Sequence, residues 1–250
     1  MNKLLFALSV CSLTACAMDT MDDPTEPTDD SAQTATDEQD IIGGTTDTGD
    51  PCVVGVFAHA PGSNSGSICT GTIIGPHTVL TAAHCVSPAS IGSGQQIDLL
   101  PGTTLALPGI TTSSRTFNPQ WNINNLQACH DEGILHTTQT LSPVCGRGSL
   151  NPANTVRIVG YGSNTHQNTG VGTKRQATVS VVASNAVLFQ DGTSSMQTCH
   201  GDSGGPAFQG GVVVGVTSFG QDRSANSVCF GGGFHCRISA DATFINNNTN

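Results

Sequence analysis

The chain has 250 residues, of which 10% are charged and 4% aromatic, and 30 are glycine. Its formal net charge of −10 has one main source: nine of the 18 acidic residues fall between Asp19 and Asp40, where there is no Lys or Arg. Beyond Ile41 acids and bases nearly balance, which leaves no basic face for nucleic acid, and plentiful Thr, Ser, Asn, Val and Gly favour short strands and turns over helices.

Residues 1–15 hold one early lysine, Lys3, and then the apolar run LLFALSV. A run this short reads as a secretory leader, not as a membrane-spanning helix. It ends in Leu13-Thr14-Ala15-Cys16, which resembles the bacterial lipoprotein box. A diacylated Cys16 would tether an exported protein to a membrane surface, the one membrane contact expected here. An ordinary leader that happens to contain cysteine is the alternative. Residues 16–40 are acidic, rich in Thr and Pro and nearly free of large apolar side chains. They cannot bury enough surface to fold and are expected to act as a spacer or pro-segment.

At Ile41 the composition changes. Ile41-Ile42-Gly43-Gly44 opens an apolar, glycine-rich stretch that runs to Asn250. Strand-like runs alternate with turn clusters: Val53 to His59, Ile68 to Ile74, Thr78 to Ala83, Val156 to Gly160, Thr178 to Val182 and Val212 to Phe219. Their spacing suggests hairpins, and Ala240 to Ile245 predicts the start of one short terminal helix. Eight cysteines from Cys52 to Cys236 suit an exported protein with structural disulfides. Close C-x-x-C or H-x-x-x-H pairs are lacking, so neither a metal nor a cofactor is expected.

Cys199 to Pro206, C-H-G-D-S-G-G-P, carries the chemistry. Three glycines and a proline break strand and helix alike, which leaves a tight turn. A hydroxyl beside converging backbone N–H groups suits acyl transfer: the oxygen attacks a carbonyl and the N–H groups take up the developing charge. A Gly/Ser surface loop is the plainer reading. Thr81-Ala82-Ala83-His84-Cys85 ends an apolar strand with a histidine, and Cys69 on the preceding strand could bridge to Cys85 and pin that loop. Asp131, in H-D-E-G-I-L, enters an apolar run; if buried it needs a partner, and a histidine N–H is a suitable one. Glu132 is its neighbouring rival. His59, His77, His130, His136, His166 and His235 read as loop or surface residues.

These motifs, in this order, resemble the trypsin/chymotrypsin family of serine endopeptidases over nearly all of Ile41 to Asn250: I-I-G-G at 41–44, T-A-A-H-C at 81–85, Asp131, G-Y-G at 160–162, G-D-S-G-G-P at 201–206 and S-F-G at 218–220. The order His, Asp, Ser is that of this family. The resemblance implies an all-β fold, a double six-stranded antiparallel β-barrel with a short C-terminal helix, the barrels covering about 41–124 and 125–250. It implies Ser203 as nucleophile, His84 as general base and then acid, Asp131 as orienting carboxylate, and the N–H groups of Gly201 and Ser203 as oxyanion hole. It implies protein or peptide substrates. Tyr161 and Phe219 stand where the family often has tryptophan.

The family's activation pair maps onto Ile41 and Asp202: a cut before Ile41 would free an α-amino group to meet that carboxylate. The junction Asp40–Ile41 is acidic, however, whereas the family's usual site is basic. An acid-preferring protease or the enzyme itself is therefore expected to make the cut. The specificity pocket maps onto Gln197, Thr198, His200, Ser218, Phe219, Gly220 and Gly233. Gln197 stands where trypsin-like members have aspartate, so Arg or Lys before the scissile bond is disfavoured and a neutral or apolar residue expected. An acidic residue, drawing on His200 or Arg223, is the alternative. Cys199–Cys229 matches a family bridge. The remaining four cysteines allow three pairings, of which Cys52–Cys145 and Cys129–Cys236 are favoured. The rival to an exported enzyme is a non-catalytic protease-like lipoprotein that binds peptides or a partner. N-terminal sequencing of the purified active protein is expected to begin at Ile41; any other first residue overturns the activation scheme.

Overall fold

A computed structural model describes residues 41–224 and 227–250. The leader, Cys16, the acidic segment and Asp40 lie outside the described residues.

The chain enters through β1 (Thr45–Thr46), a short outer strand. β2 (Val53–His59), β3 (Gly66–Gly75), β4 (Thr78–Thr81), β5 (Gln96–Leu100), β6 (Ile110–Thr111), β7 (Ser114–Phe117) and β8 (Gly133–His136) then form the first sheet, in the order β6-β5-β2-β3-β4-β8-β7. Every residue of β2 is buried, which is why VVGVFAH reads as a continuous apolar run with no alternation. β6 and β7 are two halves of one interrupted strand. Between them Thr112 N–H donates to Ile97 O (3.0 Å) and Ser113 N–H to His136 O (2.7 Å). The same segment thus pairs with β5 on one half and with β8 on the other, closing a six-stranded barrel. Closure removes the open edges that an exposed sheet would present.

The second sheet contains β9 (Thr155–Gly160), β10 (Arg175–Ser184), β11 (Leu188–Asp191), β12 (Pro206–Gln209), β13 (Val212–Gly220) and β14 (Gly233–Arg237). Its order is β1-β10-β11-β14-β13-β12-β9, and an added β10–β9 pairing closes a second six-stranded barrel, with β1 lying outside. β10 pairs with β1 at Arg175–Gln176, with β9 over Arg175–Ser180, and with β11 over Val181–Ser184, where the register shifts between Val181 and Ala183. A bulge there bends the strand from β9 toward β11.

α1 (Pro88–Ile91) is a single turn capped by Ser87, whose hydroxyl accepts from Ala89 N–H. α2 (Ala242–Asn247) begins two residues later than the pattern predicts, because Asp241 occupies the cap position. The carboxylate of Asp241 turns outward from its own helix to bond with Asn118 and His130. Past α2, Thr78 Oγ1 donates to Asn250 Oδ1 (2.7 Å), so the end of the chain returns to the first barrel. All four favoured disulfides form: Cys52–Cys145, Cys69–Cys85, Cys129–Cys236 and Cys199–Cys229. Such a set suits an oxidising compartment. No helix among the described residues is long and apolar enough to cross a membrane.

Tyr161 joins the barrels. It is fully buried just after β9, and its hydroxyl lies 3.1 Å from Val53 O and 2.5 Å from Gly102 O, both in the first half of the chain. Tyr161→Phe leaves both carbonyls without that donor and is expected to cost about 1–3 kcal/mol. Denaturant unfolding with the disulfides intact measures the loss.

Candidate functional site

His84 follows β4 in a short 3-10 turn, Ala83–Cys85, held at one side by Cys69–Cys85. Asp131 lies just before β8, which pairs with β4, so the sheet register brings the two residues together. His84 Nδ1 is 2.7 Å from Asp131 Oδ2, and His84 backbone N–H donates to Asp131 Oδ1 at 2.9 Å. Ser218, from β13 of the second barrel, donates its hydroxyl to Asp131 Oδ2 at 2.6 Å. Asp131 is 1% exposed and His84 is part-exposed. A buried carboxylate is costly unless donors surround it, and these three donors come from both barrels. The bond at Nδ1 places that nitrogen's proton toward Asp131 and leaves Nε2 as the basic nitrogen.

Ser203 lies in the turn between β11 and β12, and lines with His84 a cleft of about 470 Å³ between the barrels. The turn is seated on the first barrel. Thr70 N–H donates to Ser203 O (2.8 Å), and Thr70 Oγ1 donates to Gly201 O (2.9 Å) while accepting from Tyr161 N–H (3.1 Å). Gly201 has φ +99, in the region that favours glycine. A Cβ on Gly204 would collide with Thr81 Oγ1 and Thr70 O, so that glycine allows the turn to sit directly on β3 and β4. Asp202 is fully buried beneath the turn, where Oδ1 accepts from Gly162 N–H and Oδ2 from Cys199 N–H, each at 2.8 Å. Ile41 is fully buried too, in the core of the second barrel with Leu150, Ile158 and Phe189.

The pocket residues divide into two groups. Thr198, His200, Ser218, Phe219 and Gly220 line the cleft. Gln197 and Gly233 lie behind its wall. Gln197 is fully buried, donates its N–H to Ile42 O (3.1 Å) and accepts from Gly232 N–H at Oε1 (2.8 Å). Phe219 stacks on Phe234 with centroids 4.6 Å apart. His200 is exposed, with Nε2 3.2 Å from Asp222 Oδ2, and Arg223 stacks on Phe230 instead of entering the cleft.

Two histidines expected at the surface are buried. His235 is fully buried, stacks on Phe189, and reaches Asp191 Oδ2 (3.0 Å) and Thr217 Oγ1 (3.2 Å). His59 lies 3.1 Å from Asp98 Oδ2. Each has a buried carboxylate beside it; His59 is hydrogen-bonded to its partner, whereas His235 Nε2 and Asp191 Oδ2 are close without hydrogen-bond alignment. Thr70 gave no local signal, because its contact with Gly201 spans 131 residues. Glu132 points away from His84, toward Asn118. Two groups of potential metal ligands occur among the described residues, Cys69, His84 and Cys85, and His200, Asp222 and Cys229. Their cysteines are disulfide-bonded and offer no thiolate.

The family model described as Trypsin matches residues 41–242. The chain is 28% identical over 242 residues to alkaline trypsin C of Manduca sexta, covering 84% of this chain and 91% of that one. Among solved structures it resembles mouse neuropsin, a serine protease expressed in the limbic system, with a TM-score of 0.67, 22% identity and coverage of 82% of this chain and 97% of the other. It also resembles an inactivated protease paralogue of the scabies mite, with a TM-score of 0.66, 20% identity and coverage of 84% and 99%.

Replacing Thr70 by Val removes the donor to Gly201 O and the acceptor for Tyr161 N–H. The loss is expected to reach about 1–3 kcal/mol, with faster amide exchange at Gly201 to Ser203. Unchanged exchange in that turn would remove Thr70 from its support.

Proposed function

The chain belongs to the trypsin family of serine proteases, and on that premise we propose that it hydrolyses peptide bonds through His84, Asp131 and Ser203. The observation that carries the reading is the bond of 2.7 Å from His84 Nδ1 to buried Asp131, in the cleft that Ser203 lines. With Nδ1–H held by the carboxylate, Nε2 is the nitrogen able to take the Ser203 proton. Ser203 Oγ attacks the substrate carbonyl, and the charge formed on its oxygen is met by the N–H groups of Gly201 and Ser203. His84 then protonates the leaving amine, and the acyl chain stays on Ser203. Water, deprotonated by the same imidazole, releases the acid and restores the hydroxyl. Asp131 remains ionised throughout, supported by Ser218 and the His84 backbone N–H.

Made with its acidic segment, the protein is a precursor. Cleavage before Ile41 creates an α-ammonium group that pairs with Asp202 and secures the turn carrying Gly201 and Ser203. The full burial of both residues supports this, since a buried carboxylate gains most from a buried cation. The leader supports export, and Cys16 is the candidate lipid attachment point. Substrate preference before the scissile bond is neutral or apolar, because the carboxylate at the cleft rim, Asp222, already faces His200. Protein substrates follow from the family; the activator is a protease tolerant of Asp at the cut, or the enzyme itself.

The inactivated scabies mite paralogue favours one second reading, a binding protein of the same fold. Both readings meet in one experiment. Protein cut before Ile41 should take up a fluorophosphonate probe on Ser203 and hydrolyse peptides, and Ser203→Ala should do neither. Asp131→Asn should lower kcat about 10⁴-fold, because the imidazole then holds the wrong tautomer. Absence of labelling in correctly processed protein favours the binding reading.

A further inference from the structure

Glu132 is a fully buried acid for which the proposed mechanism has no use. It follows Asp131 directly, and the two side chains part: Asp131 faces His84 and Ser218, Glu132 faces Asn118 and α2. Asn118 Nδ2 reaches Glu132 Oε2 at 3.4 Å and Asp241 Oδ1 at 2.9 Å, so two carboxyl groups converge on one amide. Glu132 Oε1 is buried and has no donor among the described residues, while its other oxygen shares the Asn118 amide with Asp241. Two ionised carboxylates brought onto one buried amide repel each other, and a proton shared between them removes the repulsion. Asp241 already accepts from Asn118 and from His130 Nδ1 at 2.9 Å, which makes it the ionised member.

We propose that Glu132 carries a proton into the fold and donates it to Asp241, and that this carboxyl–carboxylate pair is a positioning device for Asp131. The idea rests on the proposed role of Asp131. The segment before it needs such support. Cys129 and His130 both have φ +59, a left-handed conformation unusual for residues with side chains. Cys129–Cys236 and the His130–Asp241 bond hold that turn from one end, and the proposed Glu132–Asp241 bond would hold it from the other. Because successive side chains on extended backbone point to opposite sides, a fixed Glu132 fixes the direction of Asp131. The groups whose charges bear on Glu132 are Asp241, from the start of α2, and Asp131 beside it; His130 faces Asp241.

Burial first, and the Asp241 charge second, raise the Glu132 pKa well above its ordinary value of 4.5. A raised folded-state value means that the contribution to stability is full below that ordinary value and is lost as pH rises through the raised one. Glutamine keeps an N–H donor for Asp241 and has no proton to lose.

The test compares Ser203→Ala with Ser203→Ala/Glu132→Gln, so that self-cleavage plays no part. Thermal unfolding from about pH 5 to about pH 9 should show the glutamine protein gaining at least about 2 °C over its parent as pH rises. Parallel curves overturn the shared proton. If the glutamine protein does not fold, infrared spectra of Ser203→Ala at neutral pH decide: a neutral carboxylic acid band protected from exchange in D2O supports the pair, and its absence overturns it. In active protein Glu132→Ala should lower kcat about tenfold at unchanged KM, with Glu132→Gln restoring most of the loss. Unchanged kcat in Glu132→Ala overturns the positioning role. The unfolding and infrared readouts need no activity, so a failure of the protease reading registers separately, as absent labelling of Ser203.

Discussion

A carboxylate that is 1% exposed between two barrels has to be met by donors, and much of the cleft follows from how Asp131 is met. The donors are His84 N–H, His84 Nδ1 and Ser218 Oγ. The first two come from the turn after β4 and the third from β13, so the requirement is satisfied only when the barrels are seated together. Docking of the barrels and orientation of the imidazole are then one event. A bond made by each of two domains to a single ionised group also resists small shifts between them, because each shift exposes an uncompensated charge to an apolar surround. The hydroxyl of Tyr161, which reaches Val53 O and Gly102 O, adds a neutral contact across the same junction.

Asp202 sets a second constraint of the same kind beneath the Ser203 turn. Its oxygens accept from Gly162 and Cys199 N–H, and side chains at Gly160 or Gly162 would occupy the space of its carboxylate. The Gly-Tyr-Gly motif is thus shaped by two neighbours at once: glycines admit the carboxylate, and the tyrosine between them reaches the other barrel. From above, Thr70 clamps the turn through Gly201 O and Ser203 O. The turn is held by a carboxylate from below and by a strand of the opposite barrel from above, and the N–H groups of Asp202, Gly204 and Gly205 are engaged by Cys199 O, Thr217 O and Asp202 O.

How much of this could be read from the chain depends on the distance over which each feature is determined. β2, β3, β4, β9, β10 and β13 were legible, because runs such as VVGVFAH and VVVGVTSFG are apolar and bounded by turn residues, whereas β5, β8, β11, β12 and β14, of four or five residues each, did not stand out. The Ser203 turn was legible because its special residues are contiguous. The break between β6 and β7 was not, since Thr112 and Ser113 acquire their meaning only from Ile97 and His136 on two other strands. Burial of His235 was hidden for the same reason: its partner Asp191 lies on β11, and nothing near position 235 announces a carboxylate. Glu132 could be seen as a rival to Asp131. That it turns toward Asp241 follows from the packing of a helix more than a hundred residues later.

The same long-range pairing separates selectivity from chemistry in the cleft. Asp191 is a deep carboxylate beside Gly232 and Gly233. It is fully buried, with His235 Nε2 3.0 Å away, and neither residue lines the cleft. Gln197 stands behind the wall as well, its carbonyl engaged by Gly232 N–H. What lines the cleft in front includes Thr198, Phe219, Gly220 and Asp222, whose carboxylate faces His200. A lysine or arginine placed there would lose hydration and find the lining carboxylate, Asp222, already facing His200, a poor exchange for a cation. A neutral side chain loses little and keeps the area of contact. The preference proposed above therefore rests less on the presence of glutamine at position 197 than on two answered carboxylates, Asp222 at the rim by His200 and Asp191 behind the wall by His235.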